Sequence, residues 1–318
     1  MRALEPPAIE EIRAARERIA GSAMRTPLVR FGVDGPAKIW LKLENLQPIG
    51  SFKLRGSGNA IATTPKEALA RGVYTASAGN MAQGLAWHAR RLGIPCTVVV
   101  PDNAPQTKIA AVERLGASVV RLPFADWWRV IETHHHPGID AMFIHPVSDP
   151  AVIAGNATVG LEIFEDLPEV DTILVGYGGG ALSSGIAAAL RALKPGTKVY
   201  ACEVSTAAPF AASLAAGHPV AVDYVPSFID GIGGRTMLEE MWPLASKLLA
   251  GSIVVTPSET AAALRLVVER NHVVAEGAGA VPVAAALSGK AGAGTIACVV
   301  SGGNIDAAKL AAILTGEV

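Results

Sequence analysis

Thr172-Ile173-Leu174-Val175-Gly176-Tyr177-Gly178-Gly179-Gly180-Ala181-Leu182-Ser183-Ser184-Gly185 passes from an apolar run, through a glycine loop, into a helical pattern. The run Thr172–Val175 reads as a strand buried on both faces. The pattern over Ser183–Leu193 reads as a helix. Three consecutive glycines are entropically costly unless the backbone must approach something closely. Bare N–H groups opening a helix form a ready cradle for a phosphate. A flexible turn is the plainer alternative.

The same alternation extends in both directions. Further strands are expected at Ile39–Leu43, Val73–Ala76, Thr97–Val100, Ser118–Leu122, Lys198–Glu203, Ser252–Val255 and Thr295–Val300. Helices are expected at Asn80–Leu92, Gln106–Leu115, Ser258–Glu269 and Val281–Leu287. Alternating strand and helix implies an α/β fold with mostly parallel sheets, whose ligands bind where strands run out into loops. The chain has 318 residues, half of them hydrophobic and 17% charged, which permits a large core and argues against disorder. A net charge of −1 gives no reason to expect nucleic acid or an anionic membrane. Three scattered cysteines argue for a reducing compartment, and no leader or membrane span is expected, which together place the protein in the cytoplasm.

Three more segments fall at strand ends. In Leu41–Gly56 a Pro–Gly turn leads to Lys53 as a helix begins. A lysine there opposes the helix dipole, and partial desolvation would make it an amine fit to attack an aldehyde; the plainer alternative is a solvated lysine. Ser77-Ala78-Gly79-Asn80-Met81-Ala82-Gln83-Gly84 follows Val73–Ala76 and reads either as an anion loop or as an ordinary helix cap. Ser301-Gly302-Gly303-Asn304 follows Thr295–Val300 and can offer one neutral hydroxyl to a flat ring, or be a simple turn. The glycine loop also fits a dinucleotide fingerprint, with Glu203 as the ribose acceptor. That reading leaves the Lys53 and Asn80 segments without a use.

In this order the four segments resemble the serine/threonine dehydratase (threonine ammonia-lyase) family of fold-type II pyridoxal-phosphate enzymes. Arg25-Thr26-Pro27-Leu28, His145-Pro146, Gly160-Leu161-Glu162-Ile163 and Glu276-Gly277-Ala278-Gly279-Ala280 support the likeness, which runs from about Thr26 to Asp306. The resemblance implies a tryptophan synthase β-like architecture of two open, twisted, mostly parallel sheets with flanking helices. It implies a large cofactor domain, 1–71 and 147–318, with a small domain, 72–146, inserted. It implies a homodimer or homotetramer. Pyridoxal 5′-phosphate would be bound covalently by Lys53, which later moves the Cα proton. Gly178, Gly179, Gly180, Ala181 and Leu182 would hold its phosphate, Asn80 its ring hydroxyl and Ser301 its ring nitrogen, with Phe52 packed on the ring. Ser77, Ala78, Gly79, Asn80 and Met81 would grip the substrate carboxylate. The implied reaction is dehydration and deamination of L-threonine or L-serine to a 2-oxo acid and ammonia. The alternatives are a lyase for another β-hydroxy amino acid (hydroxyaspartate, phenylserine or a catabolic intermediate), a serine racemase, a nicotinamide enzyme, and a catalytically silent cofactor-binding protein.

The chain departs from the family pattern at Met81, Ala181 and Tyr177, where histidine, glycine and valine are usual. It departs also at Pro209, which stands where some members use an aspartate, with Glu203 and the Ala207 carbonyl, to bind a cation. No metal is therefore expected. His134-His135-His136 reads as a solvated loop, and Trp127 and Trp128 as packing residues. With the chain ending at Val318, no regulatory domain and no isoleucine control are expected.

Overall fold

The computed structural model describes residues 4–318; Met1, Arg2 and Ala3, part of the stretch read as lacking a leader, lie outside them. Among the described residues there are ten strands: β1 Leu28–Arg30, β2 Ala37–Leu43, β3 Val73–Ala76, β4 Cys96–Pro101, β5 Ser118–Leu122, β6 Met142–Phe143, β7 Thr172–Gly176, β8 Lys198–Val204, β9 Gly251–Val255 and β10 Gly294–Val300. Six form one sheet in the order β1-β2-β10-β7-β8-β9, and four form another in the order β5-β4-β3-β6. All pairings are parallel except β1 with β2. The smaller sheet is built wholly from chain lying between β2 and β7.

Each strand expected from the sequence is present to within two residues at its ends. The central strand β10 shows why. Its run Thr295–Val300 is buried throughout and is hydrogen-bonded to β2 on one side and β7 on the other. A strand with helices over both faces can use apolar side chains on both. Two short strands, β1 and β6, lacked enough apolar pattern to be expected.

Strand order is what positions the site. β2, β10 and β7 are adjacent and parallel, so the chain leaves all three at one edge of the sheet. The segments carrying Lys53, Ser301 and the three glycines consequently become neighbours. An antiparallel bridge between Ser51 and Gly302 fixes two of them to each other, as do Phe52 N–H to Ser301 O (3.0 Å) and Gly303 N–H to Gly50 O (2.9 Å). Among the described residues, no helix is long and apolar enough to cross a membrane.

Candidate active site

A cavity of about 430 Å³ opens between the edges of the two sheets. It is lined by every residue singled out above for the site: Phe52, Lys53, Ser77, Ala78, Gly79, Asn80, Met81, Gly178, Gly179, Gly180, Ala181, Leu182 and Ser301.

Lys53 is the first residue of the helix Lys53–Thr63. Its Nζ donates to Pro146 O at 2.8 Å and lies 5.3 Å from the centroid of the Phe52 ring. Burial pushes its pKa down to about 8, because the ammonium loses hydration. An amine so placed is partly unprotonated near neutrality and available as a nucleophile or base.

Facing it, the glycine loop opens the helix Ala181–Leu193. Gly180 has φ +91°, and a side chain on Gly179 would come within 2.4 Å of Val147. The loop therefore requires glycine at position 180 on backbone grounds and at position 179 for lack of space. Its first-turn N–H groups are those that a helix cannot pair internally, and the helix dipole favours an anion at this end.

Asn80 opens the helix Asn80–Leu92 on the other wall. Its Nδ2 donates to Glu276 Oε1 at 2.9 Å, and its Oδ1 accepts from Asn304 Nδ2 at 2.8 Å. The amide orientation is thus fixed from both sides. Ser77 Oγ accepts from Gly79 N–H at 3.3 Å, giving the loop a small internal turn. Met81 is almost fully buried in the core beneath the smaller sheet, so its backbone rather than its side chain belongs to the loop.

Three features were not anticipated as site residues. Glu276 lines the cavity, and burial, with the nearby Asp230 carboxylate, pushes its pKa up to about 7 against the pull of the Asn80 hydrogen bond. Its only sequence signal was its place in the Glu276–Ala280 stretch. Lys108 and Asp230 form an ion pair across the cavity at 3.2 Å. Trp127 and Trp128 pack as expected, but they also line the cavity.

Two readings need correction. His134 is not in a solvated loop: it is half-buried, stacked on His145 with ring centroids 4.4 Å apart, and its Nε2 is 3.3 Å from Glu240 Oε1. A left-handed φ of 56° at the helix end turns it inward. Glu203 is unsuited to accept from a ribose. Its oxygens already accept from Phe210 N–H (2.9 Å), Ala211 N–H (2.8 Å) and Ser252 Oγ (2.6 Å), capping the helix Pro209–Ala216. The nicotinamide reading loses its acceptor.

Residues 19–302 match the family model described as pyridoxal-phosphate dependent enzyme. The L-threonine ammonia-lyase of Thermotoga maritima is 40% identical, over 94% of this chain and 76% of that one. The catabolic L-threonine dehydratase of Escherichia coli is 35% identical, over 98% of this chain and 97% of its own. Among solved structures, maize serine racemase superposes with a TM-score of 0.86 at 33% identity, covering 98% of each chain. Threonine deaminase isoform 2 of Solanum lycopersicum, in its processed form, superposes with a TM-score of 0.83 at 29% identity, covering 99% of this chain and 96% of that one.

Proposed function

Because the chain belongs to the pyridoxal-phosphate-dependent enzymes, with the fold-type II architecture, we propose that it is an L-threonine ammonia-lyase, taking L-threonine or L-serine to a 2-oxo acid and ammonia. The single observation that carries this reading is the meeting of Lys53, the glycine loop, Asn80 and Ser301 in one cavity. The donor set fits the cofactor. A desolvated amine without a carboxylate partner suits an aldehyde, and a glycine-lined helix N-terminus suits a phosphate. Gly178, Gly179, Gly180, Ala181 and Leu182 would hold the phosphate, Asn80 the ring hydroxyl, Ser301 the ring nitrogen and Phe52 the ring face. Bound there, pyridoxal phosphate supplies an extended electron-accepting system that makes the substrate's Cα proton removable.

The chain's own groups do the remaining work. Ser77, Ala78, Gly79, Asn80 and Met81 bind the substrate carboxylate, chiefly through backbone N–H groups. Lys53 takes the Cα proton, for which its lowered pKa suits it. Ser301 would bring a neutral hydroxyl rather than a carboxylate to the ring nitrogen, a setting that would favour loss of the β-hydroxyl over return of a proton to Cα. The enamine that leaves hydrolyses to the 2-oxo acid and ammonia.

Racemisation is the second reading that the neighbouring structures raise. It needs an acid on the face opposite Lys53. Ala78 has no acidic proton, and the Ser77 hydroxyl is turned back onto its own loop, where it accepts from Gly79 N–H at 3.3 Å. Elimination should dominate. The large domain comprises 1–71 and 147–318 and the small one 72–146. The enzyme works in the cytoplasm as a homodimer or homotetramer on a small amino acid. A panel of β-hydroxy amino acids, assayed for 2-oxo acid and for D-product, tests the substrate and the reaction. L-Threonine and L-serine should yield 2-oxo acid with negligible D-serine; a preference for hydroxyaspartate or phenylserine, or D-serine formed as fast as 2-oxo acid, would reassign the substrate or the reaction.

A further inference from the structure

The chain crosses from the smaller sheet back to the larger one through His145-Pro146-Val147-Ser148. Before this crossing, Ile144 N–H is bonded to Tyr74 O at 2.8 Å, next to β6. After it, Asp149 caps the helix Pro150–Asp166 with bonds to Ala151 and Val152 N–H. The four residues between have no strand or helix to hold them. They are held by a side chain. His145 is almost fully buried, and its Nδ1 accepts from Val147 N–H at 3.0 Å and from Ser148 N–H at 2.7 Å, with Ser148 Oγ at 2.8 Å.

Two backbone donors converging on one ring nitrogen require that nitrogen to be unprotonated, with the proton on Nε2. Burial first, and then the neighbouring His134 and Lys53, keep the ring neutral by lowering its pKa to about 3 against the pull of the Ile131 backbone. Pro146 has no N–H and cannot compete for the imidazole. Its carbonyl is left to point the other way, and it accepts the Lys53 ammonium at 2.8 Å. The titratable groups facing His145 are Lys53 and the stacked His134, with Glu240 and Asp149 lying against His134.

His134, His145 and Glu240 bring potential ligand atoms within 4.8 Å of one another. A metal site does not follow. Two imidazoles on one ion must each aim an in-plane lone pair at it, whereas these rings are stacked at 27° and the His145 Nδ1 lone pair is already shared by two N–H groups. The stacked His134 ring covers the His145 ring and keeps it in place.

We propose that His145 is a positioning residue for Lys53: its Nδ1 gathers the Val147 and Ser148 N–H groups into a turn that aims the Pro146 carbonyl at the lysine amine. The inference rests on the reading of Lys53 as the cofactor-bearing amine. The same turn sets Val147 against Gly179, so the lysine and the glycine loop are located by one device. Loss of the turn misplaces the amine, and misplacement of a reacting group by about 1 Å costs on the order of a hundredfold in rate.

The test uses holoenzyme of the full chain. His145→Asn keeps an acceptor oxygen near the Nδ1 position; His145→Gln and His145→Ala do not. His145→Gln and His145→Ala should lower kcat by roughly 10- to 100-fold with KM nearly unchanged. Both should also slow the uptake of pyridoxal phosphate by cofactor-stripped protein, followed by absorbance, and shift its dependence on pH. His145→Asn should restore both readouts to within about threefold of the unaltered protein. Should His145→Ala fail to fold, the comparison of His145→Asn with His145→Gln carries the test. The inference is overturned if His145→Gln keeps unaltered kcat and uptake, or if folded His145→Asn is as impaired as His145→Gln. Borohydride labelling of the unaltered holoenzyme separates the two claims. A label on another lysine removes the parent reading, whereas a label on Lys53 with an indifferent His145→Gln removes this inference alone.

Discussion

Lys42 and Lys53 flank the same connection from β2 into the following helix, and burial lowers the pKa of both, yet their surroundings are opposite. Lys42 Nζ donates to Glu162 Oε2 at 2.5 Å and to Thr26 O at 2.6 Å. Beside it the fully buried Arg55 is clamped between Glu44 (2.8 and 2.7 Å) and Glu162 (2.7 and 2.8 Å). Lysine, arginine and two glutamates cancel, and the desolvation that would push Glu44 up is overridden by Arg55, so its pKa is lowered. In the cleft, Lys53 donates to a carbonyl, and Glu276 accepts from an amide. One region buries charge and compensates it. The other leaves Lys53 and Glu276 without an opposite charge in hydrogen-bond contact, and so close to neutrality in pKa that they can exchange protons in a reaction. Compensation, rather than burial, separates a structural charge from a reactive one.

The contrast can be broken most severely at Lys53. Lys53→Met should lower turnover on the order of 10⁴-fold, measured as 2-oxo acid release. The same change should stabilise cofactor-stripped protein. The folded pKa of about 8 lies below the ordinary 10.5, so folding penalises the ammonium. That penalty is complete below about pH 8 and fades as pH rises from about 8 towards 10.5, where the unfolded lysine also loses its proton. With solvent screening allowed for, the variant should gain about 1 kcal/mol at neutral pH and little in alkali, as read from urea unfolding.

Arg55→Met should do the reverse. It leaves Glu44 and Glu162 buried with one cation between them, and it should cost about 3–5 kcal/mol in the same unfolding experiment. In the unaltered protein the depressed Glu44 contributes stability present above its ordinary pKa and lost as pH falls through the folded one, so acid should weaken the fold through this network. An Arg55→Met protein as stable as the unaltered one would contradict the assigned roles.

These two regions also mark what could be read from the sequence. All the strands but β1 and β6, and the helix Asn80–Leu92, were legible, because buried parallel strands are written as apolar runs and their loops as small residues; the roles of the cavity residues came from the family resemblance. The ion network was invisible: Glu162 lies 107 residues beyond Arg55 and 120 beyond Lys42, and nothing local distinguishes a paired charge from a solvated one. Glu276 escaped for the same reason. The start of the helix Gly277–Leu287 was placed late, at Val281, because its first turns contain Gly277 and Gly279. Glycine disfavours helix, but Ile229 and Gly302 press so closely there that a side chain would not fit. The inward turn of His134 depends on a backbone conformation that histidine adopts rarely.

A smaller effect is expected at Glu276. With a pKa of about 7 it is mostly protonated below that pH and mostly carboxylate above it. The unaltered enzyme should show an ionisation near pH 7 in kcat/KM that Glu276→Gln removes, while the plateau rate changes by less than about tenfold. Persistence of the ionisation would assign it to another group. The smallest effect is expected from chelation. Glu203 is engaged by Phe210, Ala211 and Ser252, and Pro209 offers no carboxylate to a hard cation. A chelator should change turnover by less than about twofold; a large loss reversed by magnesium or calcium would refute that reading of Glu203.

Borohydride reduction of the holoenzyme, followed by peptide mass spectrometry, tests the distinction between compensated and uncompensated charge most directly. The account predicts that the fixed cofactor is on Lys53. Its presence on Lys42 or Lys108 would contradict it.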